Sequence, residues 1–159
     1  MKRVVFVGSF APVHNGHLDI IKRLVDVFDE IIIAVTQNKN KLFVASVEDR
    51  KELLKIACKD FSSVKVMSFK GTLADFCHDN NVDCIVKAVR NTIDFEYEYD
   101  LFVINRSIGD YDTIFIPSMP EYKHVSSTFV RDMIKYGRDV TPYVPNGVAD
   151  IINRIKANK

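Results

Sequence analysis

The strongest constraint on what this chain can fold into is an alternation. Five short apolar segments, Val4–Val7, Ile31–Val35, Val64–Met67, Asp83–Lys87 and Thr113–Ile116, are separated by longer stretches with a helical period. The first of those stretches opens at Gly16 and runs to Phe28, with apolar residues at 20/21, 24/25 and 28 along one face. The second starts at the capping-box sequence Ser46-Val47-Glu48-Asp49 and runs to Cys58. Helices are further expected at Leu73–Asn80, from about Asp94 to Ile108, and at about Ser127–Tyr136 and Val148–Ala157. Segments at this spacing build βαβ units with right-handed crossovers. The expected fold is α/β: a Rossmann-like, doubly wound, five-stranded parallel sheet with helices on both faces. Gly137-Arg138-Asp139 and Pro142–Pro145 read as turns, so residues 1–159 form a single domain that includes the two C-terminal helices.

Bulk properties narrow the function classes. A chain of 159 residues can bury roughly 70% of its unfolded surface in one domain. With 22 basic and 21 acidic residues the net charge is +1, which leaves no field to gather nucleic acid or an anionic membrane. No apolar stretch approaches the ~20 residues needed to span a bilayer. The apolar run after Met1-Lys2-Arg3 stops at Gly8 without a small-residue cleavage site, unlike a signal peptide. Three cysteines, an odd number in apolar or helical contexts, point to reduced thiols and a cytoplasmic protein.

The chemistry concentrates in Gly8-Ser9-Phe10-Ala11-Pro12-Val13-His14-Asn15-Gly16-His17, a polar loop between the first strand and the first helix. Strand carboxyl ends are where open α/β sheets bind ligands, and a helix N-terminus there favours phosphate. Ser9 offers a hydroxyl, Gly16 permits close backbone approach, and His17 lies in the first helical turn. Neither G-x-G-x-x-G nor G-x-x-x-x-G-K-[ST] occurs, so any nucleotide is held by another device. His14 and His17 also suit a plain helix-capping pair; a zinc site lacks nearby cysteines, and His78 and His124 are isolated. A second cradle, Val125-Ser126-Ser127-Thr128-Phe129-Val130-Arg131, sets three hydroxyls at a helix start.

The pattern Gly-Ser-Phe-x-Pro-x-His-x-Gly-His resembles the H-x-G-H signature of the nucleotidylyltransferases, and Val125–Arg131 resembles their second signature. Lys87-Ala88-Val89-Arg90-Asn91-Thr92-Ile93-Asp94-Phe95-Glu96-Tyr97-Glu98 is similar to the R-G-x-R-x-x-x-D-F-E-Y-E block of the phosphopantetheine adenylyltransferase family. That resemblance covers about Val4 to Val148 and implies AMP transfer from ATP to 4′-phosphopantetheine, giving dephospho-coenzyme A and pyrophosphate. It implies that His17 contacts the α-phosphate, that Ser9 bridges acceptor and ATP, that Lys41 neutralises phosphate charge, and that Arg90 binds the ATP phosphates. Lys87 would bind the acceptor, with Thr72 and Leu73 along the pantetheine arm. Phe10, Ala88, Val89 and Glu98 would lie near the nucleotide, and Tyr122, Lys123, His124, Val125, Ser126, Ser127 and Thr128 would surround the adenine and outer phosphates. Mg²⁺ would bridge phosphate oxygens without a dedicated carboxylate cage. A homohexamer and feedback binding of coenzyme A are further family expectations.

Three positions depart from the family pattern. Ala11 stands for aspartate, Lys87 trades a bidentate arginine fork for a point charge, and Ala88 replaces glycine and so requires φ below zero. The expected result is altered affinity with activity retained. Runner-up readings are a nicotinate mononucleotide adenylyltransferase, a cytidylyltransferase, and a nucleotide-binding module without turnover. The sequence leaves the protonation of His17 open, since a helix N-terminus lowers its pKa and bound phosphate raises it.

Overall fold

β-branched residues suit a pleated surface buried on both sides, and here they supply most of the central strands. The computed structural model describes residues 1–37 and 45–157. Its strands are β1 (Arg3–Gly8), β2 (Glu30–Val35), β3 (Val64–Ser68), β4 (Cys84–Val89) and β5 (Thr113–Pro117), paired in the order β3-β2-β1-β4-β5. Every ladder is parallel: Val5 sits opposite Ile32 in β2 and Ile85 in β4, and Val86 opposite Ile114 in β5. The expected doubly wound α/β sheet is therefore present.

Alternation along each strand sends side chains to two separate cores. Val4, Phe6, Ile31, Ile33, Val35 and Val86 face one side, where they meet Ile20, Ile21 and Leu24 of α1 (Asn15–Val25) and Leu53 and Leu54 of α2 (Val47–Ala57). Val130 and Ile152 complete that core; they belong to α5 (Ser127–Lys135) and α6 (Val148–Ala157). Val5, Val7, Ile32, Ala34 and Ile85 face the other side, against Phe76 and Cys77 of α3 (Leu73–Asp79). On that side α4 (Thr92–Gly109) packs on α3 and β4. No described helix is long and apolar enough to cross a membrane.

The chain winds outward from β1 to β3, then returns to pair β4 with β1 and continues to β5. The sheet's direction of winding thus reverses between β1 and β4, which opens a crevice at their carboxyl ends.

Helix ends differ from expectation in two places. α1 stops at Val25: the Val27 N–H donates to the Leu24 carbonyl three residues back, a tighter turn that leaves Val27 exposed while Phe28 still packs on the core. α4 starts two residues earlier, at Thr92, because the Asn91 side chain accepts from the Asp94 N–H at 2.9 Å. The capping box of α2 forms reciprocally, with Asp49 N–H to Ser46 Oγ at 3.0 Å and Ser46 N–H to Asp49 Oδ2 at 2.8 Å.

Candidate active site

Two parallel strands and two helix N-termini meet at the crevice between β1 and β4. It forms a cleft of about 580 Å³ whose lining includes Gly8, Ser9, Phe10, His14 and His17, together with Lys87, Ala88, Arg90 and Glu98. Ser126, Ser127, Thr128 and Arg131 close the opposite wall. The two segments farthest apart in sequence are tied directly: Ser127 Oγ donates to the Pro12 carbonyl at 2.9 Å, and Arg131 Nη1 to the Ala11 carbonyl at 2.8 Å.

The histidine pair is both a cap and a cleft wall. His14 stands at the α1 N-cap, and its backbone N–H donates to His17 Nδ1 at 3.2 Å. An Nδ1 that accepts carries no proton, so the neutral ring holds its hydrogen on Nε2. The two imidazoles stack with centroids 3.7 Å apart, and the Phe10 ring meets His17 edge-on at 4.9 Å. Burial, then the neighbouring His14 and Arg90, hold His17 well below the ordinary histidine range; burial and Arg90 bring His14 down to about 3. Both rings are held neutral at pH 7, and His17 presents a hydrogen-bond donor, not a cation. At Gly16 an added Cβ would lie 3.1 Å from the His14 ring, so only glycine leaves this stack undisturbed.

Positive charge comes from longer side chains. Arg90 grips Asp94 with Nε–Oδ2 at 2.8 Å and Nη2–Oδ1 at 3.3 Å, and Lys87 Nζ pairs with Glu98 Oε2 at 2.9 Å. Arg131 binds only a carbonyl and Thr128 Oγ1 (at 3.0 Å), with no carboxylate partner among the described residues. The wall therefore carries an uncompensated cation beside three hydroxyls, an arrangement that suits phosphate. Ser126 caps α5 by accepting the Phe129 N–H at 3.0 Å, which leaves the hydroxyl of Thr128 and the helix's free N–H groups facing the cleft.

A second cleft, of about 500 Å³, adjoins the first. Its lining includes Thr36, Phe69, Gly71, Thr72, Leu73, Leu101, Ile104 and Asn105, and it shares Val7 and Lys87 with the first cleft. The first cleft is lined by hydroxyls, imidazoles and cations; the second sets Phe69, Leu73, Leu101, Ile104 and Ile108 beside Thr36, Gln37, Thr72, Asn105 and the lysines Lys70 and Lys87.

Geometry of this kind invites comparison with known enzymes. The cytidylyltransferase-like family matches residues 5–133. A phosphopantetheine adenylyltransferase of Thermobifida fusca is 41% identical over 145 residues, covering 91% of this chain and 88% of its own. Another, from Corynebacterium diphtheriae, is 39% identical over 159 residues, covering 99% and 100%. This chain belongs to the phosphopantetheine adenylyltransferase family. A bifunctional NMN adenylyltransferase/ADP ribose pyrophosphatase of Francisella tularensis shares the fold at TM-score 0.75 and 17% identity, over 98% of this chain and 50% of that one.

Of the residues singled out from the sequence, the adenylyltransferase fold brings Ser9, Phe10, His17, Lys87, Ala88, Arg90, Glu98, Ser126, Ser127 and Thr128 to the first cleft. Thr72 and Leu73 line the second. Val125 packs into the core, and Lys123 and His124 are exposed on the turn before α5. Neither Val89 nor Tyr122 lines a described cleft. Lys41 lies outside the described residues. Ala88 sits in extended β4, without a positive φ, as its Cβ requires. Sequence reading gave no role to two arginines, one of which, Arg131, closes the second signature. Arg131 followed the hydroxyl triplet by one helical turn, a spacing that would have placed it on the same face. Arg50 carried no signal, because its importance rests on carbonyls brought to it from two strands.

Proposed function

We propose that this member of the adenylyltransferase family moves AMP from ATP to 4′-phosphopantetheine, forming dephospho-coenzyme A and pyrophosphate. The observation that carries the reading is the shared wall: a cleft lined by hydroxyls and cations and a cleft of mixed apolar and polar lining meet at Val7 and Lys87. That is the shape needed by an acceptor with a phosphate at one end and a long flexible arm at the other.

In this reading the triphosphate lies against Ser126–Thr128 and Arg131, with Arg90 over its bridging region. A phosphate oxygen of the acceptor attacks the α-phosphorus, the bond from that phosphorus to the β-bridging oxygen breaks, and pyrophosphate leaves with the electron pair. The acceptor phosphate is already anionic at pH 7, so positioning and charge neutralisation supply most of the acceleration. His17 Nε2–H would donate to a non-bridging α-oxygen, whose charge grows in the pentavalent transition state. Lys87 would exchange Glu98 for the acceptor phosphate, and Ser9 would hydrogen-bond between the two substrates. Lys41 would add a further positive charge.

The cleft fits Mg²⁺ carried on the nucleotide: among the described residues no three His, Cys, Asp or Glu side chains gather to hold a metal ion, so phosphate oxygens and water would be its main ligands. When bound, the ion neutralises phosphate charge. Self-association is supported by α4, where Tyr99 and Val103 expose apolar surface of the kind another copy would cover; the hexamer is what the family resemblance adds. Coenzyme A carries the same arm as the acceptor and would compete for the second cleft. Three free cysteines, Cys58, Cys77 and Cys84, are in keeping with a reducing, cytoplasmic setting.

The test is pyrophosphate release with ATP and Mg²⁺, using 4′-phosphopantetheine, nicotinate mononucleotide or glycerol 3-phosphate as acceptor. Turnover with the first alone is expected, competed by coenzyme A, from a species of hexameric mass by light scattering. Faster turnover with either other acceptor would overturn the substrate assignment.

A further inference from the structure

Arg50 is only 3% exposed, yet it has no carboxylate partner among the described residues. It projects from the first turn of α2 to the carboxyl ends of two strands. There Nη1 donates to the Ser9 carbonyl at 2.6 Å and to the Thr36 carbonyl at 2.8 Å. The strands are already joined beside it, Thr36 N–H to the Gly8 carbonyl at 3.0 Å. A buried guanidinium forgoes hydration worth several kcal/mol, so two carbonyls are a costly way merely to fasten a helix.

What those carbonyls control is more specific. The Ser9 carbonyl belongs to the same rigid peptide plane as the Phe10 N–H. Phe10, which follows, is held at φ 46°, in the left-handed region that a bulky side chain rarely occupies. The Phe10 ring is 1% exposed and meets the His17 imidazole edge-on, 4.9 Å away. Fixing the Ser9 carbonyl fixes that plane, the backbone turn at Phe10, and through the Phe10 ring the face of His17. A continuous physical chain thus runs from α2, a helix that contributes no side chain to the cleft, to the imidazole in its wall.

The geometry points to Arg50 as a positioning residue: it holds the Ser9–Phe10 peptide so that the Ser9 hydroxyl and the His17 ring face the reacting phosphates. This rests on the adenylyl-transfer reading above. It predicts a loss in kcat with little change in KM, since the substrates still bind but the donors are misaimed. Misplacement of about 1 Å can cost ~10² in rate.

The experiment is a double-mutant cycle on Arg50→Lys and Ser9→Ala, with kcat and both KM values measured for ATP and 4′-phosphopantetheine and a thermal melt for each variant. Wild-type turnover in the same assay tests the underlying reading independently. Arg50→Lys keeps the charge but loses the reach of the guanidinium. A cooperatively folded Arg50→Lys with kcat lowered ~10–10²-fold and KM values within about threefold is expected. In the Ser9→Ala background the same change should lower kcat clearly less, because part of what Arg50 aims is already gone. Equal losses in both backgrounds, or a kcat within threefold of wild type, would overturn the proposal. If Arg50→Lys does not fold, Arg50→Gln is measured the same way; failure of both to fold overturns it too, since the fold itself then needs the contact.

Discussion

His17 shows how one residue can serve a helix end and line a cleft at once. The capping contact from the His14 N–H settles the tautomer, and burial settles the charge; together they leave Nε2–H as a fixed neutral donor. A donor aimed where charge develops is worth most in a site that needs no reorganisation. His17→Ala is therefore expected to lower kcat by ~10²–10³ while the melting curve stays cooperative, measured by pyrophosphate release and circular dichroism. Depressed histidine pKa values also make stability depend on pH. Between about pH 3 and 6.5 the unfolded chain protonates His14 while the folded chain does not, so the unfolded state binds more protons and stability rises with pH. The contribution is complete above pH 6.5 and is lost as pH falls, with His17 acting in the same direction. Denaturant titrations from pH 7 to 5 should show this fall, and His14→Gln should flatten it. That His14 and His17 stand in a loop at a strand's carboxyl end, on the wall of a cleft, was readable from the sequence. The direction of the histidine pKa shift was not, because it depends on how deeply the folded chain buries both rings.

At the level of elements, periodicity was a reliable guide wherever local chemistry sets the ends. Ser46 and Asp49 begin α2 as their side chains dictate, and the doubly buried β1, β2 and β4 show as apolar runs because both faces carry helices. α1 ran short although Phe28, in phase, still packs on the core: a turn at Asp26 and Val27 ends the helix before it, a contest that periodicity alone does not decide. Close approaches between elements were invisible for a related reason: they depend on partners distant in the chain. Gly109, the last residue of α4, is such a place. A Cβ there would lie 2.8 Å from the Tyr111 ring and 2.9 Å from Ala74 Cβ of α3, and the second contact has no flexible atom to yield. Gly109→Ala gains helix propensity of about 1 kcal/mol, but overpacking costs about 1–3 kcal/mol, so the clash should win. The expected outcome is a melting temperature lowered by a few degrees. A raised KM for the pantetheine acceptor should accompany it, because α3 and α4 supply Leu73 and Asn105 to the second cleft.

For the whole molecule, the sheet's winding is what converts scattered residues into one site. Reversal between β1 and β4 sets the Ser9 loop beside Lys87, and the return of α5 to the same edge brings Ser126–Arg131 across from it. Net charge of +1 gave no hint of this, since the cations that matter are gathered by topology and not by composition. The partition shared by the two clefts, Val7 and Lys87, also bears on what happens after the chemistry. In the proposed reaction ATP would lie in the first cleft alone and the acceptor would reach it across the partition from the second, and the product would join the two into one molecule anchored at both ends. Leaving would then mean giving up the nucleotide's contacts and the arm's in a single event, so the join that completes the reaction becomes the obstacle to the next cycle. A rapid-quench experiment should accordingly show a burst of pyrophosphate in the first turnover, followed by a slower steady rate; a linear trace from the start would show that escape is not the bottleneck.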